Sequence, residues 1–503
     1  MADLPPQDAI AADAAAVAAP SGSIVRSLAK SFAIYGVANF GIRGLNFILI
    51  LLYSRYLRPA DYGVVYLAEI VASFLAIFGG LSIDSALQRL YFQHNGSPEE
   101  LSSYLGSGVR FGLGWMTVFL ALVLIVGGVV QSYLPGGASV PFYPYIALAT
   151  ATAIAIQGVQ FRLAIYQAGR RPRSYGLVSL ALALLTAASC IFQVVVYRGG
   201  ALGMLRGKFF AAVITLLIAA WTMRTLFAAR FEWSFVRESV SFGLPLVPHL
   251  VMASALVVAD RFILEHYRGL AEVGVYSLAY TFGMIMFLVT QSLSQAWLPM
   301  FFDLAGCGSE NRALLGRTCS GLALLLAALA CVGMLLSPLF INLCLDPRYR
   351  SAASIVPLVV MGYLFHGLFS LFDLSLLHSK RTTSVFMISL LAFTANLALN
   401  FALIPRWGMY GAAWATTIAY AVEALGAFLM AQHFFPLPWR IVEILSALAI
   451  SGGALWLTQL QSMLQYRGLL LVPFPILALA LLAVIGRRDL RAAFAAIRSR
   501  AKS

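Results

Sequence analysis

Charged residues are scarce in this 503-residue sequence. They make up 11% of it, whereas hydrophobic residues make up 61%, and a soluble domain is roughly a quarter charged and about half apolar. This balance excludes an ordinary soluble protein. The apolar runs are long enough to cross a bilayer, which takes roughly 20 helical residues, and they lack the short alternating pattern of membrane β-strands. The chain is therefore predicted to be an all-α polytopic membrane protein, because helices satisfy their own backbone hydrogen bonds in lipid.

Cysteine is also rare, and no chemical motif is built from it. The five cysteines include no CxxC pair and no Cys/His cluster with ligand spacing, so we predict neither a disulfide nor a metal site. No G-x-x-x-x-G-K-[ST] sequence is present, so no built-in ATPase is expected. The first twenty residues lack a basic segment followed by an apolar run, which favours a cytoplasmic tail over a cleaved signal peptide. We expect no cofactor and no catalytic residue.

Fourteen apolar segments are predicted to span the membrane. They lie near residues 32–54, 62–83, 108–133, 143–167, 175–197, 204–226, 241–264, 273–300, 316–344, 353–378, 382–404, 409–432, 441–459 and 468–486. The longest polar connection between them is segment 84–107. Twenty of the 34 Lys and Arg residues fall on the side that holds both termini and ten on the other. This bias places both termini in the cytoplasm, and it explains the positive net charge without nucleic-acid binding.

Two pairs of similar segments recur at a shift of about 210 residues. "DYGVVYLA" at 61 matches "EVGVYSLA" at 272, and "VVVYRGGALGMLRG" at 194 matches "FALIPRWGMYGAAW" at 401. We infer two six-span units with the same orientation, an arrangement known in transporters. The predicted organisation is a disordered cytoplasmic tail (1–30), a first lobe with spans one to six (31–230), a second lobe with spans seven to twelve (231–435), two further spans (436–486) and a basic cytoplasmic tail (487–503).

Three long stretches together resemble a known family. They read "RGLNFILILLYSRYLRPADYGVVYLA", "SFGLPLVPHLVMASALVVADRFILEHYRGLAEVGVYSLAY" and "NLALNFALIPRWGMYGAAWATT". They resemble the Wzx-type polysaccharide flippases of the multidrug/oligosaccharidyl-lipid/polysaccharide exporter superfamily, and the resemblance extends from about residue 30 to residue 435.

This resemblance implies a fold of two six-helix lobes around a central cavity. It also implies that undecaprenyl-pyrophosphate-linked oligosaccharide is flipped from the cytoplasmic to the periplasmic leaflet of a bacterial inner membrane, for a surface polymer such as exopolysaccharide, lipopolysaccharide or O-antigen. The implied partners are that lipid, the surrounding membrane lipids, and a polysaccharide polymerase with its export machinery.

Cationic residues within or beside the spans are candidates for binding an anionic cargo, because a charge inside the bilayer usually faces a cavity or a partner. Arg43 shares one helical stripe of the first span with Asn39 and Asn46. It either draws a pyrophosphate or acidic sugar, or forms structural hydrogen bonds between the lobes. Arg89 and Arg110 flank the predicted cytoplasmic entrance of the cavity. They either collect an anionic head-group or merely reflect the excess of Lys and Arg on the cytoplasmic side.

The seventh span carries an acid and a base side by side, Asp260 and Arg261, with Asp260 on the face of His249. Arg suits phosphate because its planar fork binds two oxygens. The alternatives are a cavity or gate site and an ion pair that locks spans seven and eight. Pro245 and Pro248 should kink this span.

Acidic residues and a histidine in other spans are candidates for a coupling ion. Glu69 in the second span could carry a proton, or it could pair with Arg43. His366 and Asp373 share a face of the tenth span, and Glu423 is a lone acid in the twelfth. For His366 and Asp373, the alternative is an interhelix hydrogen-bonding network.

Two asparagines in the eleventh span are candidates for a structural role. Asn396 and Asn400 lie one turn apart in the eleventh span, where asparagines commonly join helices.

A cation-driven multidrug exporter is the second candidate function, but its cavity should be acidic or neutral, and the cavity candidates here include several Arg. A flippase of peptidoglycan precursors is a near variant of the first. A membrane polymerase or glycosyltransferase is the third, although no predicted periplasmic loop is long enough to hold an acidic active site.

Overall fold

The described part of the chain is helical throughout, without strands. A computed structural model describes residues 44–94, 96–133, 139–306 and 312–464. Its helices are α1 (44–56), α2 (Pro59–Gly80), α3 (Ile83–Leu90), α4 (Pro98–Tyr133), α5 (Ala147–Ala168), α6 (Pro172–Ile191), α7 (Gly200–Thr222), α8 (Arg224–Ala228), α9 (Trp233–Gly243), α10 (Leu246–Arg268), α11 (Leu270–Gly306), α12 (Arg312–Cys344), α13 (Ala352–His378), α14 (Thr382–Trp407), α15 (Met409–Phe434) and α16 (Ile441–Leu464). The prediction of an all-α membrane fold is confirmed.

Most of the predicted spans appear as helices. Among the described residues, eleven helical segments are long and apolar enough to cross a membrane, and they coincide with predicted spans two to six and eight to thirteen. Helix α10 coincides with the seventh predicted span, and α1 covers the later part of the first. The fourteenth predicted span, at 468–486, lies outside the described residues, as do both predicted tails.

The polar connection predicted at 84–107 is largely helical. It contains most of α3 and the first turns of α4. Helix α4 begins at a proline followed by Glu99 and Glu100, and the Glu100 backbone N–H donates to Ser97 Oγ at 3.1 Å. Acidic residues and a hydroxyl acceptor stabilise a helix N-terminus, so polarity there marks a helix start and not a loop. The 36 residues of α4 extend for about 54 Å, longer than a bilayer core.

The seventh span is interrupted where a kink was predicted. Helix α9 ends at Gly243 and α10 begins at Leu246, five residues later than the predicted start of the span. Pro245 lies in the turn between the two helices, and Pro248 lies in the first turn of α10, where its missing N–H costs no helical hydrogen bond. The prolines therefore separate an 11-residue helix from the span and do not bend a continuous one.

The chain divides into two compact units, with the boundary between Val258 and Ala259 inside α10. In the first unit, α5 packs against α2, α3 and α7, and α6 packs against α7. In the second, α13 is the central helix and packs against α11, α12 and α15. The predicted lobe limits, 31–230 and 231–435, remain a prediction.

The two repeated motifs meet in the same way within each unit. Gly200 and Gly408 both adopt a positive φ, +58° and +55°, which favours glycine at each position. Asp61, the acid of the first motif, lies beside Gly200. Glu272, its counterpart at the repeat offset, lies beside Gly408 and accepts a hydrogen bond from the Met409 backbone N–H at 3.0 Å. This shared geometry supports the internal repeat inferred from the sequence.

Candidate functional site

A buried ion pair lies at the beginning of the second unit, on α10. Asp260 and Arg261 are only 5% and 7% exposed, and Arg261 Nη1 lies 2.8 Å from Asp260 Oδ1. The Tyr276 hydroxyl, from α11, donates to Asp260 Oδ2 at 2.6 Å. Each carboxylate oxygen therefore has a partner, which offsets part of the cost of removing both charges from water. The predicted contact between spans seven and eight is thus made through Tyr276.

Aromatic side chains surround the guanidinium of this pair. The Arg261 guanidinium carbon lies 4.6 Å from the ring centroid of Tyr280 and 5.5 Å from that of Tyr276. A cation over a desolvated aromatic face gains about 2 kcal/mol. The Tyr280 ring in turn contacts Tyr363 of α13 at 6.2 Å, and Tyr363 contacts Tyr420 of α15 at 6.1 Å. A chain of tyrosines thus leads from the ion pair into the centre of the unit.

His366 and Glu423 lie at the far end of this chain. The His366 ring is 5.1 Å from that of Tyr420, and its Nδ1 is 3.7 Å from Glu423 Oε2. That separation is longer than a hydrogen bond. The other oxygen, Oε1, accepts from Ser389 Oγ at 3.0 Å. Asp373, two turns along α13 from His366, interacts electrostatically with Glu423, so three of the predicted coupling-ion residues form one group.

The two asparagines join the same network from α14. Asn400 Nδ2 donates to Asn396 Oδ1 at 2.9 Å, and Asn396 Nδ2 donates to Thr416 Oγ1 at 3.3 Å. The Thr416 and Tyr280 side chains also lie close to each other. The predicted helix-joining asparagines are therefore connected through one threonine and one tyrosine to Arg261.

The residues described above form one connected set within the second unit, called the second-unit network. Its members are Asp260, Arg261, Tyr276, Tyr280, Tyr363, His366, Asp373, Ser389, Asn396, Asn400, Thr416, Tyr420 and Glu423. From the sequence, its charged and amide members were predicted as three separate groups. The tyrosines that connect them were missed, because aromatic residues near span ends are interface anchors by default.

A second ion pair lies in the first unit. Glu69 of α2 accepts a hydrogen bond from Lys208 Nζ of α7, and both side chains are partly exposed. Lys208 lies within the predicted sixth span, 204–226, but it was not a predicted site residue. Helix α7 begins at Gly200, so Lys208 lies two turns inside it, and that depth is the signal that was overlooked. The predicted partner of Glu69, Arg43, lies outside the described residues.

The remaining predicted site residues have separate positions. Arg110 donates to the carbonyl oxygens of Phe227 and Ala229 at 3.3 Å and 2.7 Å, so it holds the segment that follows α8. Arg89 is exposed on α3, and Asn46 is exposed on α1. Asn39 and Arg43 lie outside the described residues, as does the side chain of His249.

These features define a multi-pass membrane protein that carries ion pairs inside its spanning helices. The chain belongs to the Polysaccharide biosynthesis protein family, whose sequence profile matches residues 28–305, more than half of the chain. The resemblance drawn from its motifs is confirmed.

Two distant curated relatives are named for transport. A candidate O-antigen transporter of Shigella flexneri is 23% identical over 268 residues, which are 50% of this chain and 61% of that protein. The succinoglycan biosynthesis transport protein ExoT of Rhizobium meliloti is 24% identical over 256 residues, 49% of this chain and 47% of that protein. The chain thus spans less than two thirds of the length of either relative.

Solved structures share the fold over most of the chain. The lipid II flippase MurJ, in an inward closed conformation, superposes with a TM-score of 0.64 at 17% identity, covering 91% of this chain and 99% of that one. A multidrug resistance MATE family transporter of the MOP superfamily, in an inward-facing conformation, gives a TM-score of 0.57 at 12% identity, covering 80% of this chain and 96% of that one. At sequence identities this low, the similarity shows that the fold is shared and does not extend to the function.

Proposed function

We propose that this chain is a flippase that carries undecaprenyl-pyrophosphate-linked oligosaccharide from the cytoplasmic to the periplasmic leaflet of a bacterial inner membrane. Membership of the Polysaccharide biosynthesis protein family carries this proposal. It is supported by relatives named for transport of O-antigen and succinoglycan, and by a fold shared with a lipid II flippase. The activity is transport without covalent chemistry. Both termini face the cytoplasm, and the product is handed to a polysaccharide polymerase and its export machinery.

The cargo requires cations, because a pyrophosphate carries negative charge through a medium of low dielectric constant. Arg261 and Lys208 lie within described spanning helices and form ion pairs there, Arg261 with Asp260 and Lys208 with Glu69. A passing pyrophosphate can exchange with such a carboxylate, since Arg binds phosphate and carboxylate through the same fork. Arg43, from the sequence analysis, is the third cation of the proposed pathway.

The polar candidates do not all serve the cargo. Arg110 is already engaged by backbone carbonyls, so we assign it a structural role near the entrance and leave Arg89 as the exposed cation there. Asn39, Asn46 and His249 remain proposed cavity residues on the grounds given by the sequence.

The second-unit network is proposed to couple transport to an ion. His366 Nδ1 is buried, has no hydrogen-bond partner among the described residues, and faces Glu423 across 3.7 Å. A proton placed between these two groups would let them approach to hydrogen-bond distance. Asp373 is the third titratable member of the group. The tyrosines between His366 and Arg261 provide a physical connection between the coupling group and a cargo cation, and alternating access would use it.

The experiment is a deletion strain complemented with variants. Without the protein, undecaprenyl-linked repeat units should accumulate on the cytoplasmic leaflet, and the wild-type chain should clear them. Arg43→Ala and the double variant Asp260→Leu/Arg261→Met, which leaves neither member of the buried pair unpaired, should insert normally yet fail to clear the lipid, whereas Arg348→Ala, which removes an exposed arginine from a turn, should restore export. Normal surface polymer in both cavity variants at matched expression would contradict the role of cations.

A multidrug exporter is the second candidate, and the shared fold with a MATE family transporter favours it. The same deletion strain separates the two functions. If no lipid-linked sugar accumulates and the surface polymer is unchanged, while the strain becomes sensitive to cationic drugs, the exporter proposal replaces the flippase proposal.

A further inference from the structure

His94, in the turn that follows α3, lies between two carboxylates. Its Nδ1 is 2.9 Å from Glu100 Oε1 at the start of α4, and its Nε2 is 2.9 Å from Glu238 Oε2 on α9. The imidazole side chain is only 14% exposed. One ring therefore joins the α3–α4 turn to α9, a helix 144 residues further along the chain. The transport proposal assigns no role to this bridge.

Two aromatic rings fix the orientation of the imidazole. Tyr104 of α4 stacks on it with the centroids 4.6 Å apart, and Phe235 of α9 meets it edge-on at 5.0 Å. Tyr104 is itself held, because its hydroxyl donates to the Ala86 carbonyl oxygen at 3.0 Å. The ring is thus confined in a slot, with each nitrogen directed at one carboxylate.

The number of protons in this bridge follows from its geometry. A neutral imidazole has one N–H donor and one bare nitrogen, and a carboxylate can only accept. Both ring nitrogens of His94 lie at hydrogen-bond distance from carboxylate oxygens, so each contact requires a proton. The three groups therefore share two protons, one more than a neutral imidazole between two carboxylates would supply. If that proton is lost, a bare nitrogen faces a carboxylate oxygen and the contact becomes repulsive.

Other charges near the bridge are engaged or exposed. On α3, Asp84 accepts from Gln157 at 3.0 Å and Arg89 points to the outside. On α4 and α9, Glu99 and Arg237 are exposed, and water screens them. Glu100 and Glu238 are therefore the charged groups in direct contact with the ring.

We propose that His94 is a proton-dependent latch that holds α9 against the start of α4. Helix α9 precedes the break at Leu244 and Pro245, and the next helix, α10, carries Asp260 and Arg261. Protonation of the latch restrains the segment that leads into the buried ion pair, and deprotonation releases it. The direction follows from the proton count: the link is complete at low pH and is lost as the pH rises.

The latch can be tested without a transport assay, so its failure is distinguishable from failure of the flippase proposal. Backbone hydrogen exchange of the full-length protein in detergent micelles is measured for α9 at about pH 5.5 and about pH 8.5, on either side of the usual histidine range, and is referenced to the intrinsic rate at each pH. Protection of α9 should fall by about fivefold to tenfold at the higher pH, the scale of two partly exposed charge-assisted contacts. Protection of α6 should not change in parallel.

Glu238→Gln distinguishes a latch from a merely structural contact. The amide N–H can donate to the bare nitrogen of a neutral ring, so α9 should stay protected at both pH values. His94→Phe keeps the stacking but removes both hydrogen bonds, and it should leave α9 weakly protected at both. His433→Gln, which changes an exposed histidine on α15, should preserve the wild-type response. Protection of wild-type α9 that is independent of pH, or a wild-type response in Glu238→Gln, would overturn the proposal.

Discussion

Removing one charge from the buried ion pair should destabilise the protein severely. Asp260→Asn keeps an acceptor oxygen for the Tyr276 hydroxyl, so it mainly deletes the charge that faces Arg261. That guanidinium is 7% exposed and would lose the carboxylate that it contacts at 2.8 Å. Breaking a buried pair in this way costs about 3–5 kcal/mol, which corresponds to a change of roughly 100-fold to 4,000-fold in the unfolding equilibrium.

An exposed pair of the same chemistry is the matched control. Arg348 Nε donates to Asp346 Oδ1 at 2.7 Å, in the turn between α12 and α13, with the two side chains 40% and 22% exposed. This hydrogen bond holds the pKa of the Asp346 carboxyl below its usual value. A lowered pKa contributes stability that is present at neutral pH and is lost as the pH falls through the folded-state value. Because water screens this pair, Asp346→Asn should cost less than about 1 kcal/mol.

The assay is reversible unfolding in mixed micelles by added sodium dodecyl sulfate, followed by helix content. The double variant Asp260→Leu/Arg261→Met should recover most of the lost stability, because no buried charge remains and the apolar volume is similar. It should nevertheless fail to restore polymer export, because the cation is gone. Wild-type stability of Asp260→Asn would refute the reasoning about burial. Full export by the double variant would show that the pair is only a structural lock.

Three further changes test other parts of the molecule. Gly408→Ala forces a side chain into a positive φ and against the Glu272 carboxylate; we expect a loss of about 1–3 kcal/mol in the same unfolding assay, and an unchanged midpoint would contradict the motif geometry. Lys208→Met leaves its carboxylate partner on α2 uncompensated and should lower both stability and export, whereas Lys208→Arg should retain most of both; equal behaviour of the two variants would exclude a role for the charge. Ser389→Ala removes one hydrogen bond from the Glu423 carboxylate and should cost about 1–2 kcal/mol in the unfolding assay, which an unchanged midpoint would refute.

The helical framework was predictable because it follows from hydropathy alone. Most spans were located to within a few residues, since a bilayer sets the apolar length that each helix needs, but α4 begins at Pro98, well before the predicted third span. The repeat was also predictable, because the positive φ of Gly200 and Gly408 requires the same residue at the same place in both units. The amphipathic pieces α3 and α9 were missed, because their polar residues lower the mean hydropathy that marks a span.

The site was predictable only in part. An acid or base inside an apolar run attracts notice, and Asp260, Arg261 and Glu423 were found in that way. Their connections were not predictable, because pairs such as Glu69 with Lys208 are 139 residues apart in the sequence. Tyr276 and its neighbours carry no unusual signal, since a tyrosine in a span resembles an interface anchor until its hydroxyl is placed on a carboxylate.

The most direct test of the central claim is a leaflet assay with the purified chain in proteoliposomes. Undecaprenyl-pyrophosphate carrying a labelled oligosaccharide is placed in one leaflet, and its appearance in the other is followed with a sugar-modifying enzyme that cannot cross the membrane. The account predicts transfer that is faster than in protein-free vesicles and absent with Asp260→Leu/Arg261→Met. Transfer no faster than in protein-free vesicles, from a chain that is folded and that moves a cationic drug instead, would contradict the account.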